Sequence, residues 1–128
     1  MHDDAEIEEV VAAVAHEPGG GLISLPDIFT TSHRDLIGTA AIRHVLPLMG
    51  AGAIFPKAGA LISYWYDTVE MYAQAASYID RILRGASPAD LPVQEPTKFS
   101  LVINLKTAKA LGLTVPPSIV ELADEIIE

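Results

Sequence analysis

Three short runs, GLISLPD (21–27), ALISY (60–64) and FSLVI (99–103), are apolar without alternation. A strand with one wet face alternates apolar and polar residues, whereas a strand covered on both faces has no need to. Helical rhythm stands before and between these runs. In AEIEEVVAAVAH (5–16), Ile7, Val10, Val11 and Val14 recur at helical spacing, with Asp3 or Asp4 available as an N-cap. From Asp67 to Arg84 two stripes run in steps of three and four. One is polar (Asp67, Glu70, Gln74, Ser77, Arg81, Arg84) and the other apolar (Val69, Tyr72, Ala76, Ile79, Leu83). Acids at its start and arginines at its end suit the helix dipole, and Gly85 fits the position after its last turn.

The remaining segments complete the alternation. Ser32 and Asp35 form a variant capping box for a helix over about 33–44, VLPLM (45–49) reads as the next strand, and GAGAIFPKAG (50–59) as a Gly-rich connection. The proline-spaced SPADLPVQEPTK leads into FSLVI. Asn104 caps the helix LKTAKAL, Gly112 ends it, and a last helix starts near Pro117. The order α-β-α-β-loop-β-α-loop-β-α-α predicts an α/β structure, a mostly parallel sheet flanked by helices with right-handed crossovers. At 128 residues, half of them apolar, the length suits a single domain, 1–128.

Charge and composition narrow the function. Seventeen acids against eight basic residues leave a net charge of −9, with the acids gathered at both ends. Nucleic acid and anionic membrane surfaces require clustered positive charge, so neither is expected as a partner. No apolar run approaches the ~20 residues that span a bilayer, so no membrane insertion is expected. The acidic N-terminus is no signal peptide, which places the chain in the cytoplasm if it is complete. Without cysteine there are neither disulfides nor thiolate metal sites.

Motifs for catalysis or cofactor binding are not found. Gly19-Gly20-Gly21 precedes a strand instead of joining strand to helix, and no Gly-Lys-Ser/Thr follows, so it reads as a turn and not a phosphate loop. His2, His16, His33 and His44 share no metal-ligand spacing, and no Gly-x-Ser-x-Gly elbow occurs. Neither an enzyme, a cofactor nor a metal is expected. A receiver-type phosphoacceptor built on Asp27 and Lys57 would need an acidic pair on an earlier strand, which the chain lacks.

Residues 75–128, AASYIDRILRGASPADLPVQEPTKFSLVINLKTAKALGLTVPPSIVELADEIIE, closely resemble the C-terminus of substrate-binding proteins of ABC-type uptake transporters, in the branch related to tryptophan and tyrosine uptake. The R-I-L-x-G helix end, the P-A-D-L-P-V crossing and P-T-K-F-x-L-V-I-N-x-K-T-A-K-A-L-G-L carry the likeness. LISLPDIFTTSHRDLI and GALISY resemble the family's earlier strands. The resemblance implies a periplasmic-binding-protein-like (type I), Rossmann-like lobe, incomplete, corresponding to most of the second lobe and the terminal crossover of a two-lobed receptor. It further implies a small-molecule ligand such as an amino acid, an ABC transporter permease as partner, and a periplasmic or extracytoplasmic location. Ser63-Tyr64-Trp65 stands where the family has Ser-Tyr-Gly, a departure at the expected cleft.

Ligands of open α/β sheets sit beyond the carboxyl ends of the strands. A family-like site would take Asp27 as the charge anchor for a ligand amine, Phe29 and Tyr64 as an aromatic platform, and Ser63 as a hydrogen-bond partner, with Ile28 and Asp67 beside them. The alternative makes Asp27 a turn residue, Asp67 a helix cap, and the aromatics core or interface. A different function also stays open: a truncated α/β domain with no ligand, stabilised as a homodimer around Ile54, Phe55 and Trp65.

Overall fold

The structure is a computed structural model and describes residues 3–128. Its contacts divide the chain into two compact units, one of residues up to Trp65 with Ser100–Glu128, the other Tyr66–Phe99.

The first unit opens with α1 (Asp4–Ala15), capped by Asp3, whose carboxylate accepts the backbone N–H of Glu6 at 2.8 Å. Ile7 and Val11 of α1 are fully buried. The strands follow as expected: β1 (Leu22–Ser24), β2 (Leu48–Gly50), β3 (Ile62–Tyr66) and β4 (Phe99–Asn104). With β5 (Glu125–Ile127) they lie in one five-stranded sheet of order β1-β2-β3-β4-β5, so the runs 21–25, 60–64 and 99–103 do share a sheet. β1 pairs with β2, β2 with β3 and β4 with β5 in parallel. The sheet is mostly parallel and flanked by helices, the class the unbroken apolar runs predict.

Several details differ from the sequence reading. Pro26-Asp27 starts a short helix, α2 (Ile28–Ser32), before α3 (Arg34–Arg43). Ser32 therefore does not cap α3; its hydroxyl donates to Ile28 O at 2.8 Å inside α2. The Gly-rich connection holds a helical turn, α4 (Ile54–Lys57). α6 (Leu105–Ala110) follows β4 directly, with Asn104 as its cap as expected. The last helix, α7 (Pro117–Val120), stops after four residues, and Glu125–Ile127 form the edge strand β5 beside Val102–Asn104. The run Glu125-Ile126-Ile127 is too short for helix and strand to be distinguished by periodicity.

The core of this unit joins Ile7, Val11, Ile37, Ala40, Ala41, Leu46, Leu48, Phe55 and Ala60. Phe55, expected at a subunit interface, is 1% exposed and packs inside its own chain. Glycine at two places permits the packing. A Cβ on Gly38 would lie 2.0 Å from Ala58 O, and one on Gly50 would lie 2.2 Å from the Phe55 side chain. α1 is fastened to α3 by Glu8, whose Oε1 lies 2.8 Å from His44 Nε2 and 3.0 Å from Arg43 Nη1.

In the second unit α5 (Thr68–Leu83) begins on Asp67, whose Oδ1 accepts from the N–H groups of Val69 and Glu70. A 3₁₀ turn over Pro88–Asp90 and an extended segment return the chain. The extended segment lies against Met71, Gln74 and Tyr78 of α5, and the Tyr78 hydroxyl donates to Pro92 O at 2.5 Å. Met71, Gln74 and Tyr78 are the partly covered residues of α5, while most of the polar stripe stays exposed. The apolar stripe is exposed as well: Val69, Tyr72, Ile79 and Leu83 are all more than half accessible.

Candidate ligand-binding end of the sheet

Parallel pairing brings the carboxyl ends of β1, β2 and β3 to one edge of the sheet, and register fixes what stands there. Ser24 pairs with Gly50, and Gly50 with Ser63. Residues in register on parallel strands share a face, so both serines point to the side on which Phe55 covers Gly50. The hydroxyls of Ser24 and Ser63 are buried and have no hydrogen-bond partner among the described residues. Ser63 is 1% exposed. Tyr64, one residue on, projects to the opposite face and is 52% exposed.

Beyond β1 the chain turns at Pro26 into α2. Asp27 is its N-cap, Oδ1 accepting the Phe29 N–H at 2.7 Å, while the residue itself stays exposed. Ile28 is 86% exposed. Phe29 is half-buried and stacks on His33, ring centroids 4.1 Å apart. His33 Nδ1 lies 2.8 Å from Phe29 O, which sets the ring against the helix. Beyond β2, Gly52 turns with φ +90°, and a Cβ there would come within 3.9 Å of the Trp65 ring. Trp65 therefore stands beside the β2 turn, a neighbour that spacing alone did not supply.

The sheet thus places Asp27, Ile28 and Phe29, with Tyr64, at the carboxyl ends of strands in the first unit. Asp67 belongs to the second unit. Its carboxylate caps α5 and its Oδ2 lies 2.9 Å from Lys98 Nζ; the lysine, ahead of the cap N–H groups, holds its pKa below the ordinary carboxylate range. The sequence left Asp67 open as a helix cap and Asp27 as a turn residue; in the structure each carboxylate caps a helix, and a cap can still offer its second oxygen. Gly50 and Gly52, which make the middle wall, were missed because a Gly-rich stretch reads only as a connection. At Gly50 a side chain would clash with Phe55; at Gly52 the constraint is the positive φ.

The described residues contain no group of three or more His, Asp or Glu able to hold a metal. His2 lies outside them.

This arrangement defines an α/β lobe of the periplasmic-binding-protein type. Residues 1–127 match the family described as "ABC transporter substrate binding protein", and the chain belongs to that family. It superposes on a conserved domain protein from Vibrio cholerae with a TM-score of 0.85 and 28% identity, over 98% of this chain and 42% of that one. A domain from Streptococcus pneumonia, solved in complex with L-Trp, gives a TM-score of 0.86 and 24% identity over 99% of this chain and 43% of that one. The ligand-free, open substrate-binding protein CD0873 from Clostridium difficile, described as having adhesive properties, gives 0.71 and 18% over 99% and 42%. No curated protein matches the chain. It spans about two fifths of the length of these solved relatives.

The family is one of substrate-binding proteins, non-catalytic in general and typically extracytoplasmic. No helix among the described residues is long and apolar enough to cross a membrane.

Proposed function

We propose that the chain supplies the ligand contacts of one lobe in a solute receptor feeding an ABC-type permease, with a small molecule such as an amino acid bound at the carboxyl ends of β1 and β3. The observation that carries this reading is the exposure of Asp27, Ile28 and Tyr64 at those ends in a chain of the substrate-binding family. The free oxygen of Asp27 pairs with the ligand amine. Ile28, Phe29 and Tyr64 cover its apolar part, while Ser63 stays buried on the other face of β3. Receptors of this kind hold a ligand by closing two lobes that both touch it, because closure is favoured only by contacts the open state lacks. One lobe alone therefore binds weakly.

Thermal-shift titration of the 128-residue chain against the amino acids at millimolar concentration tests this. A ligand at one hundred times its Kd stabilises by about 2.7 kcal/mol and raises the melting temperature. Asp27→Ala removes a charge-assisted hydrogen bond and is expected to weaken binding by about tenfold or more. No shift with any amino acid, or a shift that Asp27→Ala and Tyr64→Ala both leave intact, overturns the assignment.

A further inference from the structure

The carboxyl ends of β1 and β3 stand two strand spacings apart, about 10 Å, with the end of β2 between them. What the chain leaves in that middle ground is small: Ala51, Gly52 and Ala53, all partly exposed. A bulky side chain reaches over it from β3. A Cβ on Gly52 would meet the Trp65 ring at 3.9 Å, ordinary van der Waals contact, so the indole lies against the turn. Gly52 holds φ at +90°, a conformation that side chains resist, and the surface beside the ring is thereby kept as bare backbone.

Alternation decides which wall the ring forms. Trp65 follows Ser63 by two residues and leaves β3 on the same face, the one on which Phe55 covers Gly50. Leu48, two residues before Gly50, shares that face and belongs to the buried core cluster, against which Phe29 is packed. Phe29, just beyond β1, and Trp65, near the end of β3, therefore stand on one side of the sheet, and Tyr64 on the other. Phe29 is fixed by its stack on His33. A glycine at 65, which the Ser-Tyr-Gly pattern carries, would leave the space over Gly52 open. With tryptophan there, the indole and any large ligand side chain compete for one volume, and such a clash discriminates between ligands as effectively as a new attraction.

We propose that Trp65 is a specificity-determining residue of the ligand-binding end. Its indole fills the ground between Phe29 and the turn at Gly52, which restricts the ligand to an amino acid with a small side chain and excludes aromatic ones. The charged end of the ligand is left to Asp27. This assignment rests on the receptor reading and adds to it the size of the ligand.

Trp65 is the single tryptophan of the chain, so fluorescence excited beyond the tyrosine absorption reports this position alone. In thermal-shift titration at equal millimolar concentrations, L-alanine or L-serine is expected to stabilise the native chain and L-phenylalanine is not. Saturation with the stabilising amino acid is expected to shift the Trp65 emission. Trp65→Gly and Trp65→Ala, the second retaining a Cβ in the strand, are expected to raise the affinity for L-phenylalanine by about tenfold or more. The outcomes separate the two readings. No stabilisation by any amino acid removes the receptor reading and this assignment with it. Three results overturn the role of Trp65 alone: L-phenylalanine or another larger amino acid stabilising the native chain as well as the small ones do, a Trp65 emission indifferent to a stabilising ligand, or a preference that both variants leave unchanged.

Discussion

Asn104 does three things at one position. It ends β4 in the sheet, its Oδ1 accepts the Thr107 N–H at 2.8 Å to start α6, and its Nδ2 donates to Pro56 O at 2.8 Å. Thr107 adds a bond from its hydroxyl to Gly59 O at 3.2 Å. The turn that carries Phe55 over Gly50 is thereby tied to the strand two places across the sheet. Asn104→Ala would strip a cap and remove one of the two donors to Pro56 O, leaving the Gly59 N–H at 3.1 Å, at a cost of about 2 kcal/mol. Urea unfolding should show the midpoint falling with an unchanged slope. Replacement by Asp keeps the acceptor for Thr107 but loses the donor, so it should recover only part of that loss. The cap half of this role was legible in the sequence as Asn before LKTAKAL. The other half was not, since Pro56 lies 48 residues away and nothing local points to it.

At the scale of elements, α1 is joined to α3 by Glu8, held between His44 and Arg43. The His44 hydrogen bond, followed by the Arg43 charge, lowers the Glu8 pKa below its usual value. A depressed value in the folded state means the unfolded chain takes up the proton at a higher pH. The contribution is therefore fully present above the unfolded pKa, about 4.3, and is lost as pH falls through the folded one. Chemical denaturation from pH 6 to 3 should show the native chain losing more stability than Glu8→Gln, with the two curves converging at the acid end; parallel curves would show that the contact contributes nothing. Elements differed in how openly the sequence declared them. β1, β3 and β4 were visible as unbroken apolar runs, although the structure leaves Ile23 of β1, Tyr64 of β3 and Phe99 of β4 exposed. α5 was visible because sixteen residues give the helical period time to repeat. α2, α4 and β5 span only three to five residues each, too short for either period to establish itself. The site followed the same rule. Strand ends pointed to Asp27 and Tyr64, while the inward turn of Ser63 depended on register with Gly50, which only the assembled sheet fixes.

The whole molecule is organised by where the chain departs from the sheet and returns. It leaves after Trp65 and comes back at Ser100. The ends of the intervening unit meet: the Asp67 N–H donates to Lys98 O at 2.8 Å, and the two side chains form an ion pair at 2.9 Å. Thirty-odd residues are thus gathered at a neck that includes this hydrogen bond and ion pair. Such a neck makes the segment a removable cassette. A chain in which residues 68–97 give way to a two-residue Asn-Gly turn should still fold its five strands, read as retained cooperative melting; a product that no longer melts cooperatively would show that the neck holds the sheet together instead of merely closing a loop.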